Sequence, residues 1–121
     1  MTGVSGLNVV KVTGNINLNN ASLTFTGPAD AVFIVNVAGS IKLGGHGGIH
    51  VGGAVPQTSL LINMTGDGKL IDTHVGNDIQ GVLLGPKVGG QLDGAFGQLI
   101  LGRDFTLLSG GQVLGCECPV D

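Results

Sequence analysis

The sequence predicts an all-β protein built as a β-solenoid, and three observations carry that expectation. Glycine supplies 24 of the 121 residues. That is about 20% against a usual ~7%, and glycine serves tight corners because it adopts positive φ without strain. Short apolar bursts recur about once every nine residues, many in strict alternation with polar residues, the period of a strand. Hairpin signals are sparse, with only Asp67-Gly68 and Asp93-Gly94 as tight Asp-Gly pairs. Many short strands at even spacing also suit a sandwich or another all-β fold. The glycine density and the few large aromatics favour stacked coils around a narrow interior of Val, Ile and Leu. No strict repeat is visible, so the coils are expected to be short and irregular.

The bursts place the elements in order. Leu7 and Val9 open the first strand. Asn15-Ile16-Asn17-Leu18-Asn19 and Ser22-Leu23-Thr24-Phe25-Thr26 alternate without a break. Val32 to Val37 follows, with Ala31 to Val35 the longest unbroken apolar run, at five residues. Ile41/Leu43 and Ile49/Val51 flank Gly44-Gly45-His46-Gly47-Gly48. Leu60 to Met64, Leu70/Ile71 and Ile79 to Leu84 come next, then Leu92, Leu99 to Leu101, Phe105 to Leu108 and Val113/Leu114. Gly pairs, Gly-Pro, Asn-Asn and Gly-Asp-Gly separate them, which is turn chemistry. Helices are disfavoured, because glycine recurs so often and each one inside a helix costs up to about 1 kcal/mol.

Composition excludes several functions. Hydrophobic residues are 42%, too many for a disordered tract, and the glycines do not fall every third residue as in collagen. Charged residues are only 11%, and the net charge is −3. The five basic residues (Lys11, Lys42, Lys69, Lys87, Arg103) are scattered singly, so a nucleic-acid surface, which needs clustered Lys and Arg to displace counterions, is not expected. The aromatics are four Phe (Phe25, Phe33, Phe96, Phe105), with no Trp or Tyr. Sugar or base stacking therefore loses its usual platform. No apolar run approaches the ~18–20 residues of a membrane helix, so membrane insertion is not expected. Met1-Thr2-Gly3-Val4-Ser5-Gly6 lacks the basic region and apolar core of a secretory leader. The chain reads as one domain over 1–121, which also suits the C-terminal part of a larger domain, with a cysteine-containing tail at 115–121.

Three stretches carry a family resemblance: Gly6-Leu7-Asn8-Val9-Val10 leading to Pro28-Ala29-Asp30-Ala31-Val32-Phe33-Ile34-Val35-Asn36-Val37-Ala38-Gly39; Ile79-Gln80-Gly81-Val82-Leu83-Leu84-Gly85-Pro86-Lys87; and Leu92-Asp93-Gly94-Ala95-Phe96-Gly97-Gln98-Leu99-Ile100 with Leu107-Leu108-Ser109-Gly110. Together they resemble the C-terminal part of the choice-of-anchor A adhesin domain of secreted and wall-anchored surface proteins. More loosely, their order is similar to the β-helical ice-binding family. Both resemblances imply a right-handed parallel β-helix. The chain departs from them at Gly85, where Ala is usual, and at Ser59 to Met64, which lacks the usual aromatic residues. The N-terminal part of the adhesin domain has no counterpart here.

Candidate sites follow from residue type and spacing. His46 and His50, with His74 and Asp72 later, are metal-ligand residues, but the glycines around them deny the helix that would face both histidines one way. Asp67, Asp72 and Asp78 are oxygen donors suited to Ca²⁺, though their spacing matches no calcium loop, and turn chemistry accounts for them. No metal, cofactor or catalytic residue is assigned, and Ca²⁺ stays an alternative. Asp93, Asp104, Arg103 and the histidines lack a catalytic motif. Cys116 and Cys118 lie ~6.6 Å apart if extended, near the limit for a bridge. They are left to a strained mutual disulfide, to bridges outside these residues, or to free thiols. Ser22, Thr24 and Thr26 project from one strand face as an outward polar set. Later coils are expected to turn Lys42, His50, Lys69 and Asp72 outward. Asn20 and Asn63 match the glycosylation pattern.

The expected function is a non-catalytic domain at the cell surface or outside the cell, adhesin-like or a self-assembling structural subunit. The alternatives are ice binding through one flat face and calcium-dependent ligand binding. The expected partner is a second copy or an N-terminal segment, with no nucleic acid and no membrane.

Overall fold

The structure is a computed structural model that describes residues 1–72 and 77–114, with the side chains of 94–96 and 108–114 left out. It is all-β, as expected. The strands are β1 (Gly6–Val12), β2 (Ile16–Asn19), β3 (Ser22–Phe25), β4 (Ala31–Val37), β5 (Ile41–Gly44), β6 (Gly48–Val51), β7 (Leu60–Met64), β8 (Lys69–Asp72), β9 (Asp78–Gly85), β10 (Gly89–Leu101) and β11 (Phe105–Leu114). One short 3-10 turn, Gln57–Ser59, precedes β7. The apolar bursts coincide with these strands, except that the last four fuse in pairs into β10 and β11.

Every strand pairing among the described residues is parallel. The pairings sort one curled sheet into three rows. The first row holds β1, β4, β7, the second half of β9 and the end of β10. The second holds β2, β5, β8 and the starts of β10 and β11. The third holds β3, β6, the start of β9, the middle of β10 and the end of β11. Parallel neighbours need a crossover between them. Here the strands of the other two rows supply it.

Alternation builds the interior. In β4, Ala31, Phe33, Val35 and Val37 are buried while Val32 is exposed. Register then stacks like on like: Val35 beside Ile62, Ile62 beside Leu83, Ile16 beside Ile41, Ile41 beside Leu70, and Ile49 beside Ile79. Phe25 and Phe33 meet with ring centroids 5.2 Å apart. Burying each such side chain contributes about 1.5–3 kcal/mol.

The spacing of partners changes along the chain. Ile16 pairs with Ile41 and Ile41 with Leu70, 25 and 29 residues on. Leu70 then pairs with Gly90, and Gly90 with Phe105, only 20 and 15 residues on. The early passes are wide and turn through loops. The late passes are narrow and turn inside continuous strands. The narrow corners rest on glycine at positive φ, Gly81 at 101° and Gly97 at 135°. These two are neighbours in register. A Cβ on Gly97 would lie 2.0 Å from the Gly81 carbonyl oxygen, and one on Gly81 would lie 2.7 Å from that of Leu60.

One expectation needs correction, and β1 adds a finding: Leu7 and Val9 are 62% and 61% exposed. In β1 the inward set is Asn8, Val10 and Val12, in register with the buried Phe33, Val35 and Val37, and the Asn8 amide donates to the carbonyl oxygens of Val4 and Gly6. Asp72, expected to face outward, is fully buried. It follows Leu70 by two residues and therefore shares its inward side, in register with Leu43.

Candidate functional site

The groups suited to chemistry fall in separate places. On the outer face of the third row, the His50 Nε2 and the Asp78 Oδ1 are hydrogen-bonded at 2.6 Å, with both side chains partly exposed. Ile49 beside His50 is buried, so alternation turns the imidazole outward. Next to it, the Val51 N–H donates to the Gln80 Oε1 at 2.9 Å. Thr24 lies opposite His50 in register, and Ser22 opposite Gly48. Among the described residues no hydroxyl is hydrogen-bonded to the ring. The pair thus joins an imidazole to a carboxylate, with Thr24 the nearest hydroxyl residue in register and not bonded to the ring.

Ser22 and Thr24 alternate along β3 with the buried Phe25, and Thr26 follows the strand. The neighbouring column continues with Gly48 and His50 rather than with further threonines. Thr26 instead faces Thr2, through a bridge on its other side.

The second group is buried. The Asp72 Oδ1 accepts from the Asn77 amide at 2.9 Å, and its Oδ2 accepts from the Asp93 N–H at 2.9 Å. The Asn77 Oδ1 accepts from the Gly47 N–H at 2.6 Å, and the Gln91 amide donates to the Asp72 backbone oxygen at 2.7 Å. A buried carboxylate is tolerated only when hydrogen-bonded in this way. The network ties Gly47, between β5 and β6, to Asn77, to Asp72 of β8 and to β10, at the place where wide passes give way to narrow ones. It is a structural joint rather than an exposed binding site.

The third place is an open groove of about 560 Å³ at the corner between the first and second rows. Asp67, Lys69, Arg103 and Asp104 supply its charges, over a floor of Gly89, Gly90 and Gly102. Two acids and two bases share it, so neither sign dominates its lining.

The remaining sequence candidates are dispersed. Asp67 is exposed in the groove, Asp72 is in the core and Asp78 is on the histidine, so the three aspartates occupy three different settings. Among the described residues no three His, Cys, Asp or Glu come together as metal ligands. The His46 N–H donates to the Asn20 Oδ1 at 3.1 Å, which ties two stacked corners. Asn20 is exposed at a corner with φ 54°. Asn63 lies within β7, where its amide donates to the Asn36 Oδ1 at 3.1 Å. His74, Cys116 and Cys118 lie outside the described residues.

One feature the sequence reading missed is the outer side of the first row. Leu7 pairs with Val32, Val9 with Ile34, Ile34 with Leu61, and Leu61 with Val82. These outward positions form an apolar strip that is most exposed at β1. The signal was present in Leu7-Asn8-Val9-Val10-Lys11-Val12, where either alternate set is apolar enough to be taken as the core.

The comparisons with known proteins add no relative: no family model, no curated protein and no solved structure matches the chain. Among the described residues no helix is long and apolar enough to cross a membrane.

Proposed function

We propose that the chain is a right-handed parallel β-helix acting as a non-catalytic attachment module, extracellular or at a cell surface, in the manner of the choice-of-anchor A adhesins it resembles. The observation that carries the reading is the register: three rows of parallel strands, revisited in the same order, present stiff outer faces rather than a cleft. Parallel crossovers within one sheet are right-handed in nearly all proteins, which supports the handedness. The mostly uncharged outer columns suit contact with extended polymers or with like subunits. The dispersal of acids, bases and hydroxyls supports attachment over catalysis.

The test is retention of beads coated with the purified chain. They are offered surfaces of extracellular polysaccharide, surfaces of matrix protein, and surfaces carrying the same chain. Multivalent display is expected to raise retention on at least one surface about tenfold over beads coated with an inert protein. Retention equal to the inert beads on every surface contradicts the proposal.

A further inference from the structure

The open groove at the corner between the first and second rows has a composition unlike the rest of the chain. Charged residues are 11% of the sequence but half of the groove's lining, as Asp67, Lys69, Arg103 and Asp104. The other lining residues are all glycine. Among the described residues no apolar side chain lines it.

Register explains the opening. Lys69 pairs with Gly89. Asp104 precedes Phe105, the partner of Gly90, and so stands beside Gly89 on the next pass. The Gly90 N–H donates to the Asp104 carbonyl oxygen at 2.9 Å. Lys69, Gly89 and Asp104 therefore follow one another across three passes, with no side chain at the middle one. Neighbouring strands lie ~4.8 Å apart, so the two rims of the groove stand about 10 Å from each other. Each rim carries one acid and one base, Asp67 with Lys69 on one and Asp104 with Arg103 on the other. A Cβ on Gly89 would lie 2.9 Å from the Arg103 Cβ, so Arg103 overhangs the bare step. All four charged residues are exposed, and among the described residues none of their side chains makes an ion pair or hydrogen bond. A lone anion would meet both acids here, and a lone cation both bases. Opposite charges that share a groove without pairing suit a ligand that carries both.

We propose that the groove binds a short peptide by its two termini. The terminal ammonium donates to the Asp67 carboxylate on one rim, and the terminal carboxylate accepts from the Arg103 guanidinium on the other. Arginine is the better of the two bases for this, because its planar fork gives a carboxylate two parallel N–H bonds. An extended tripeptide spans about 10 Å, the distance between the rims. The glycine floor lets its backbone lie close, and the groove's volume of about 560 Å³ leaves room for small side chains. The site lies at a corner, apart from the outer faces proposed for attachment, and its occupation does not depend on that reading.

The experiment titrates the isotopically labelled full chain with trialanine and follows the backbone amides by nuclear magnetic resonance. Saturable shifts at Gly68, Gly89, Gly90 and Gly102 are the expected result. Exposed ion pairs are individually weak and screened by salt, so the Kd should be millimolar and rise with ionic strength. N-acetyl-trialanine, which lacks the ammonium, and trialanine amide, which lacks the carboxylate, should each bind about three- to fivefold more weakly. Arg103→Gln should bind trialanine and its amide equally, and Asp67→Asn should bind trialanine and its acetyl form equally. Lys11→Gln, on β1, should match the unaltered chain. Shifts that never saturate or that fall outside the groove overturn the proposal. Capped peptides or free alanine binding as tightly as trialanine overturn it too, as does an Arg103 or Asp67 variant that still discriminates free from capped forms.

Discussion

The wide and narrow halves of the molecule use the same strands but turn their corners by different means. In the wide half, loops of several residues separate the strands, and side chains brace them. Ser40 N–H donates to the Asn15 Oδ1 at 2.7 Å, and His46 N–H donates to the Asn20 Oδ1. In the narrow half the corner falls within β9 and β10, and backbone packs directly on backbone at Gly81 and Gly97. Loops distribute the cost of turning over many residues, so each tolerates change. A corner made from one residue concentrates it. The buried Asp72 network stands between the two regimes.

The largest expected effect breaks the narrow half. Gly97→Ala forces a side chain to φ 135° with its Cβ against the Gly81 carbonyl oxygen. Urea denaturation should show a loss of more than about 4 kcal/mol, the range reserved for strained or sterically blocked sites. Asp72→Ala attacks the joint by removing the acceptor of the Asn77 amide and the Asp93 N–H. A loss of about 3 kcal/mol is expected from the same measurement, since hydrogen bonds to a charged group contribute about 1.5–3 kcal/mol each.

Effects in the wide half should be smaller. Asn36→Ala removes the outer-face bond to Asn63 and should cost about 0.5–1 kcal/mol. Gly14→Ala meets open space in its corner and should be neutral or stabilising by about 0.5 kcal/mol, through a less flexible unfolded chain. If Gly14→Ala and Gly97→Ala cost the same in parallel melts, the contrast between the halves is wrong.

Most strands were legible in the sequence because alternation and glycine punctuation are local signals. Asn15 to Asn19 and Ser22 to Thr26 could be placed from their own residues. The fusion of Leu92 with Leu99 to Leu101 into β10 was not, because Gly94 and Gly97 look like breaks until they are seen to turn a strand. Side assignment was open in β1, where both alternate sets are plausible, and failed at Asp72, where residue polarity outweighed its spacing from Leu70. The Asp72 network and the His50–Asp78 pair join residues up to 30 positions apart in sequence. Those distances are set by pass length, which varies and leaves no repeat to read.

Backbone nuclear Overhauser contacts on the isotopically labelled chain test the central claim most directly. The account predicts parallel contacts from Ile16 to Ile41 and from Ile41 to Leu70, then from Leu70 to Gly90 and from Gly90 to Phe105, so that the spacing runs 25, 29, 20 and 15. Antiparallel contacts, or a spacing that stays constant along the chain, would contradict it.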